Sequence, residues 1–476
     1  MKKINFLAIF LAQMIGAQSI NLIKDIYPGV QGSSPQYLAK YIDKVYFSAS
    51  NPISGSELWV TDGTTEGTQM VGDQIPGTNG QVPASLTVFN NKIYYSSLLG
   101  DTASPSGLYT YDVTNGVKLL SENHKWSSGL MTANNKFYFN ANNFLYEVDA
   151  NDNIKKVSED VNPNGYAAAL NGKLLFGGRP VSSTNYYYQL YSYDGTTTTL
   201  LKTINPTNTG GVQNLFYSSA LGKVFFSGSD STTSSEPWVT DGTEAGTFRL
   251  KDISSASIYS GSSPSDFTQM GDKVIFVASD FATTGTELYI TDGTEAGTKL
   301  LKDINPGSSS SSPSKLISLN GKIYFFANGG SNDAQLWETD GTADGTKLTL
   351  KLNPGSTTFY LADMVGKDNA LYLSAKLGVS PGQELYKVNL AQGDLSVTPL
   401  SSKKSSVYPN PTTGELFVES NAKGNFEVYD FTGKLIQKGK IGTDSKINLI
   451  AEPGIYQLKT ISENAKEKNA YKIIVK

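Results

Sequence analysis

The 476-residue sequence has no cysteine and a single histidine, His124. Without thiols there is neither a disulfide framework nor a thiol nucleophile, so any core stands on packing alone. One histidine leaves no material for a His-dependent triad or a multi-His metal site, and His124 reads as a loop residue. A Gly-rich phosphate loop and a G-x-S-x-G elbow are also missing. Basic charge is short as well: residues 4–400 hold 25 basic and 35 acidic groups. That excludes a nucleic-acid partner, which needs a basic surface. Past the first residues, no stretch reaches the roughly 18 apolar residues of a membrane span. What the chain does have is 46 glycines, 27 tyrosines and few helix-favouring runs, which together suggest many short strands and tight turns.

At the N-terminus, Lys2 and Lys3 precede the apolar run Ile4–Ala12 and the small pair Gly16-Ala17. A charged start, a short apolar centre and small residues at the exit read as a signal peptide over residues 1–17, handled by the Sec machinery. With no cysteine after the run, lipid attachment there is excluded.

The phrase ELWVTDGTTEGT at 57–68 returns as EPWVTDGTEAGT at 236–247, ELYITDGTEAGT at 287–298 and QLWETDGTADGT at 335–346. Four copies of a twelve-residue phrase define a repeat array. In the frame they set, an apolar-aromatic pair recurs at Leu58, Leu108, Leu145, Leu190, Pro237, Leu288, Leu336 and Leu385, with a mean period of about 47 residues. Asp62, Asp112, Asp149, Asp194, Asp241, Asp292 and Asp340 follow three residues after the aromatic, and Asn389 takes that place in the last unit. About a dozen residues earlier each unit has a second signature, such as KVYF at 44–47 or KIYF at 322–325, replaced by ALYL at 370–373. Asn-Gly or similar turn pairs stand before most of them.

Each unit therefore reads as four strands, without helix, packed between two neighbours. This is a β-propeller over residues 18–400, with eight blades, or seven if the short third unit around Leu145 forms no blade. The segment Ile20–Asp25 matches the fourth strand of a unit, Lys299–Asp303, so the N-terminus is expected to complete the last blade and close the ring.

Within the phrase, Trp59, Trp238, Tyr289 and Trp337 read as packing between blades. Burying one such ring is worth about 4–6 kcal/mol before entropy costs. Asp62-Gly63-Thr64, Asp241-Gly242-Thr243, Asp292-Gly293-Thr294 and Asp340-Gly341-Thr342 read as capped turns: Asp accepts backbone N–H groups, Gly supplies a positive φ and Thr bonds across the loop. Their oxygens also suit Ca²⁺, but each loop offers only one or two carboxylates, and no other cofactor is indicated. The phrase resembles the ELWxxDGTxxGT repeat of secreted bacterial proteins, over roughly residues 20–400. The resemblance implies a propeller-like domain and brings no activity with it.

After the polar linker 401–406 the composition shifts. Residues 401–476 hold 12 lysines and 8 acidic residues. Short alternating strands with Gly turns over 407–476 read as a small Ig-like β-sandwich. The motifs YPNPTTGEL, VYDFTGK and GIYQLK, and then a lysine-ended strand, closely resemble the type A sorting domain of type IX secretion in Bacteroidota. Pro409, Asn410, Pro411, Gly414, Gly433, Lys434, Gly454, Tyr456 and Lys472 carry this resemblance. It implies passage through the periplasm, interaction with the type IX translocon and a surface sortase, and a protein displayed on the surface or released.

The resulting expectation is an exported, non-enzymatic binding or adhesion module for an unidentified extracellular ligand, a glycan or a protein. The alternative is a carbohydrate-active enzyme using an Asp/Glu pair, which requires two carboxyls about 5–9 Å apart; purely structural display is a third reading. Glu57, Glu236, Glu287 and Glu384 belong to the repeated phrase and read as architecture rather than catalysts. Function is expected where the phrase is missing, in the third to fifth strand-turn units, and in the long Ser/Gly/Thr loops.

Overall fold

The computed structural model describes residues 19–390, apart from 101–103, 126, 185–186, 206–209, 231–232, 255–260, 331–333 and 353–359. In the C-terminal part it describes 407–408, 412, 415–418, 424–430, 435–441, 446–450, 454–462 and 468–475. The expected signal peptide and the 401–406 linker lie outside the described residues. The chain divides into two compact units, Met1–Gln392 and Gly393–Lys476.

Among the described residues every element of the first unit is a strand, and the four main strands of each sheet pair antiparallel; Gly210–Gly211 adds a short parallel pairing to Tyr187 and Tyr188 in the fourth sheet. The eight sheets, taken here as blades 1 to 8, span 36–70, 83–121, 128–156, 161–202, 213–249, 265–302, 314–350 and 360–389, the last with strand Ser19–Lys24 added. The short third unit forms a complete four-stranded sheet, Ser128–Ala133 to Ile154–Lys156, so the count is eight among the described residues.

In each blade the second strand is apolar on both faces because both are covered. Lys44–Asn51 is buried from Val45 to Ala49, and Lys322–Asn328 from Ile323 to Ala327. The cores lie between adjacent sheets. One joins Phe225 and Val239 of blade 5 to Val274, Phe276 and Tyr289 of blade 6. First strands of successive blades touch one another all the way round, including Gln36–Tyr41 against Tyr360–Lys367, which makes a closed ring about an axis.

Closure is made by the N-terminal strand. Ser19 pairs with Asn389, Ile20 with Val388 and Leu22 with Tyr386, so blade 8 is built from both ends of the unit. Glu384 reinforces the joint. It is fully buried and accepts the backbone N–H groups of Ile26, Tyr27 and Ser33 together with the Ser33 hydroxyl.

The same device recurs in other blades. Glu236 accepts from Ile253, Ser254 and Ser262, and Glu287 from Ile304 and Ser311. The repeated glutamate thus pins the long Ser/Gly loop that leads to the next blade. Blades 4 and 7 use Gln189 and Gln335 in its place, each accepting a loop N–H.

Glu57 departs from this pattern. The serine whose hydroxyl caps the second carboxylate oxygen elsewhere is replaced by Gln81, and Glu57 Oε2 and Gln81 Nε2 are buried without a partner. Burial, opposed only by loop N–H groups, pushes the Glu57 carboxyl up to about 7. A native value above the unfolded one means that the folded state holds the extra proton between about pH 4.5 and 7. This group's contribution to stability therefore falls as pH rises through that window. Glu57→Gln is expected to be close to neutral at pH 5 and stabilising at pH 8, by up to about 3 kcal/mol. Melting curves at the two pH values check this, and an equal effect at both would contradict it.

The second unit is a sandwich of a three-stranded sheet (Val407–Tyr408, Glu415–Val418, Lys446–Asn448) and a four-stranded one. The latter runs in the order Leu435–Ile441, Gly424–Tyr429, Gly454–Ser462, Lys468–Val475. Leu416, Phe426, Val428, Ile447, Leu458 and Ile473 fill its core.

Candidate functional site

The repeated phrase forms a closed hydrogen-bonded loop. In blade 1 the Thr61 and Thr68 hydroxyls bond each other at 2.6 Å, and Gly63 N–H donates to Thr61 Oγ1 at 2.9 Å. The Thr64 N–H and hydroxyl both donate to Asp62 Oδ1, at 2.9 and 2.7 Å. Gly67 N–H then donates to Thr64 Oγ1, and the Thr68 hydroxyl to Thr64 O. The bonds repeat around Asp241, Asp292 and Asp340. Gly63, Gly242, Gly293 and Gly341 all have positive φ. The Thr hydroxyls of Thr64, Thr243, Thr294 and Thr342 lead in holding these carboxyls below the usual carboxylate range.

Trp59 packs against Ala370, Tyr372 and Leu385 of blade 8, and Trp238 against Leu170 and Leu190 of blade 4. Tyr289 lies with Phe225 of blade 5, and Trp337 against the core shared with Ile275 and Leu288 of blade 6. These rings stand between their own blade and the one before it.

Where the DGTxxGT tail is lost, the aspartate still caps its turn. Asp112 accepts from Thr114 and Asn115, Asp149 from Asn151 and Asn153, and Asp194 from Thr196 and Thr197, which hold Asp194 at about 2. In each strong copy Oδ1 of the aspartate is taken by the threonine N–H and hydroxyl, and each turn carries one such capping carboxylate. Among the described residues no group of three or more His, Asp or Glu stands together as a metal site.

His124 sits in the connection between Gly116–Ser121 and Ser128–Ala133. Its Nδ1 lies 2.7 Å from Ser121 Oγ, and its ring stands edge-on to Phe139 and Tyr146. Burial lowers its pKa, in keeping with a packed neutral ring.

Sequence reasoning missed a second set of contacts to the phrase. Lys24, Lys251 and Lys302, on the outermost strand of one blade or just past it, donate to the carbonyls of Thr68, Thr298 and Thr346 in the next, each at 2.7 Å. Lys202 reaches Glu244 O at 3.2 Å. Every strong copy of the phrase receives such a lysine. The signal was the motif LIKDI, LLKTI, RLKDI or LLKDI one unit earlier.

The arrangement least explained by packing lies at the axis. Seven of the eight first strands carry a bulge whose extra residue has positive φ: Tyr37, Ser85, Gly129, Gly165, Asn214, Asp266 and Lys315. For residues other than glycine this costs roughly 1–2 kcal/mol each, and strain of this kind concentrates at functional sites. A hoop of hydrogen bonds holds the bulges: Asn164 to Val212 O, Asn214 to Pro264 O at 3.0 Å, and Leu38 N–H to Asp363 Oδ2 at 2.9 Å.

From blade 5 round to blade 1 the hoop is polar, with Asn214, Asp266, Lys315, Asp363 and Tyr37. At blades 3 and 4 the same positions are bare glycines. Tyr37, Tyr166 and Tyr217, all on first strands, are exposed. Asp266 is exposed on its strand and accepts the Lys315 N–H, which opposes the partial desolvation that raises its carboxyl above its ordinary range. Polar groups beside exposed tyrosines suit a ligand with both hydroxyls and flat apolar faces.

In the C-terminal unit, Gly454 opens strand Gly454–Ser462, Tyr456 packs against the core, and Lys472 lies in Lys468–Val475 opposite Gln457. Pro409, Asn410, Pro411, Gly414, Gly433 and Lys434 lie outside the described residues.

Among solved structures, PorZ, an essential surface component of the type-IX secretion system of Porphyromonas gingivalis, shares 11% identity over 94% of this chain and 82% of that one, with a TM-score of 0.27. The β-propeller domain of the Trilobed protease from Pyrococcus furiosus shares 9% over 75% and 95%, with a TM-score of 0.41. A structure of two prolyl endopeptidases shares 12% over 74% and 55%, with a TM-score of 0.44. These likenesses are distant and bring no activity with them. No curated protein matches the chain. Among the described residues no helix is long and apolar enough to cross a membrane. Residues 406–476 match the family model of the secretion system C-terminal sorting domain, the tail of type IX secretion, and that match implies delivery to the cell surface or the extracellular space.

Proposed function

We propose that the chain is an exported β-propeller of a Bacteroidota-type cell that acts as a non-enzymatic binding module. Its ligand is an extracellular glycan or a protein-borne glycan, taken at the axial hoop. The observation that carries this reading is the repeated strained bulge, which sets Tyr37, Asn214, Asp266 and Lys315 on neighbouring or near-neighbouring first strands. In this reading residues 1–17 serve the Sec machinery, and 407–476 address the type IX translocon and its surface sortase. The phrase 57–68 and its copies are the scaffold that fixes the hoop.

A glycan array and a hydrolase screen on the exported protein test the proposal, with Tyr37→Ala and Asp266→Asn as variants. Each is expected to weaken binding about tenfold or more while leaving the melting temperature within a few degrees. Unchanged binding in both variants would refute the axial site. Substrate turnover abolished by Asp266→Asn would replace the binding module with a hydrolase.

A further inference from the structure

The four-stranded sheet of the C-terminal unit has one face on the core and one turned away from it. Strand register fixes which residues share the outer face. Glu427 pairs with Lys438 on one side and Lys459 on the other, Asn425 with Lys440, and Lys459 with Ala470. Partners across an antiparallel ladder project to the same side, and residues two apart along a strand do so too. Lys438, Lys440 and Lys459 therefore stand on one face, with Glu427 as the lone acidic residue among those pairs.

Glu427 is itself engaged: the Tyr429 hydroxyl donates to Glu427 Oε2 at 2.6 Å, and Lys459 Nζ sits 4.6 Å from the centre of the Tyr429 ring. Lys438 and Lys440 are exposed. So are two large apolar residues at the start of the same strand, Leu435 and Ile436, at 41% and 38%.

We propose that this face docks on the phosphate-bearing headgroups of an anionic membrane surface. Strands about 4.8 Å apart with side chains about 7 Å apart along each make a flat grid of ammonium groups, which suits a plane of phosphates. The neighbouring Leu435 and Ile436, at the start of the strand that carries Lys438 and Lys440, separate a membrane from an acidic protein as the partner. Basic groups beside exposed apolar tips are the composition of an interfacial membrane binder. A sheet face with lysines alone would fit either partner.

The proposal goes beyond the sorting reading and fails separately from it, because vesicle binding is measured on purified full chain with no secretion involved. Co-sedimentation with phosphatidylcholine vesicles, with and without phosphatidylglycerol, gives the affinity. Binding is expected only to the anionic vesicles and is expected to weaken with added sodium chloride. Each lysine near an anionic surface is worth roughly fivefold, so Lys438→Gln with Lys440→Gln should weaken binding about 30-fold. Both side chains are exposed, so an unchanged melting curve for this variant separates a lost contact from a lost fold. Lys118→Gln with Lys125→Gln, on the propeller, should leave binding as it was.

Equal binding to neutral vesicles, or unchanged binding in the Lys438/Lys440 variant, would overturn the proposal. So would displacement by inorganic phosphate beyond the effect of sodium chloride at equal ionic strength, which would indicate an ion site rather than a surface. Equally strong retention on polyglutamate would point instead to an acidic protein.

Discussion

Glu384→Ala lowers the melting temperature of the propeller by about 5–10 °C, the largest loss expected from any single carboxylate in the chain. The effect has two parts. The substitution strips acceptors from the N–H groups of Ile26, Tyr27 and Ser33 and from the Ser33 hydroxyl, and a buried donor left unpaired costs about 1–3 kcal/mol. It also frees the segment that completes the ring, since the pinned residues follow directly on strand Ser19–Lys24. Burial raises the Glu384 carboxyl above its ordinary range, so part of the gain from its hydrogen bonds is offset in the native protein. Glu384→Gln keeps an acceptor, as Gln335 and Gln189 do in their blades, and should recover most of the loss. Thermal melts of the three proteins provide the check; equal melting of Glu384→Ala and the native chain would mean that the strand pairing alone closes the ring.

Gly297→Ala is the second large effect. A Cβ at this position would lie inside the Asp292 carboxylate, and Gly67, Gly246 and Gly345 stand in the same relation to Asp62, Asp241 and Asp340. The φ of Gly297 is not the obstacle, because it is not among the positive-φ residues; the obstacle is steric. Relief requires the carboxylate to leave its Thr294 donors or the loop to open, which should cost about 2–4 kcal/mol. In Gly297→Ala with Asp292→Ala the clash is gone. The two substitutions together should therefore destabilise less than the sum of each alone, with a coupling of about 1 kcal/mol or more. Strict additivity would show that the glycine is required for another reason.

Much of this propeller could be read from its period. The lysine that opens the second strand and the aspartate that caps the turn after the third were separate signatures in sequence. In the structure they belong to one place: Lys44 lies near Asp62, Lys223 near Asp241, Lys273 near Asp292 and Lys322 near Asp340, each adding to the lowering of that carboxyl. The last unit replaces both, with Ala370 and Asn389, so no charge is left without its counterpart. The fourth strand was legible at the wrong end of the chain because Ile20–Asp25 repeats Lys299–Asp303.

The rest was hidden for physical reasons. Glu384 and Ser33 lie 351 positions apart, and nothing in a local window says that a buried carboxylate meets a loop there. The lysines that latch one blade to the next act across 42 to 47 positions. The axial bulges were out of reach because their left-handed residues include a tyrosine, a serine and a lysine, types that announce no such backbone. The polar arc of the hoop runs through blades 5, 6 and 7, which keep the phrase, and through 8 and 1; blade 5 is among the third to fifth units in which function is expected.

The order of strands in blade 8 governs how the molecule bears force. The chain leaves the propeller from Glu384–Asn389, and this strand is not an edge: Ser19–Lys24 lies on one side of it and Ala370–Lys376 on the other. A pull transmitted through the chain beyond residue 390 loads two ladders along their length. Such a load shears many hydrogen bonds at once, whereas an edge strand could be peeled away one bond at a time. With the exit strand locked inside its sheet and the N-terminal strand as the outer clasp, the last blade is an anchor point as well as a seam.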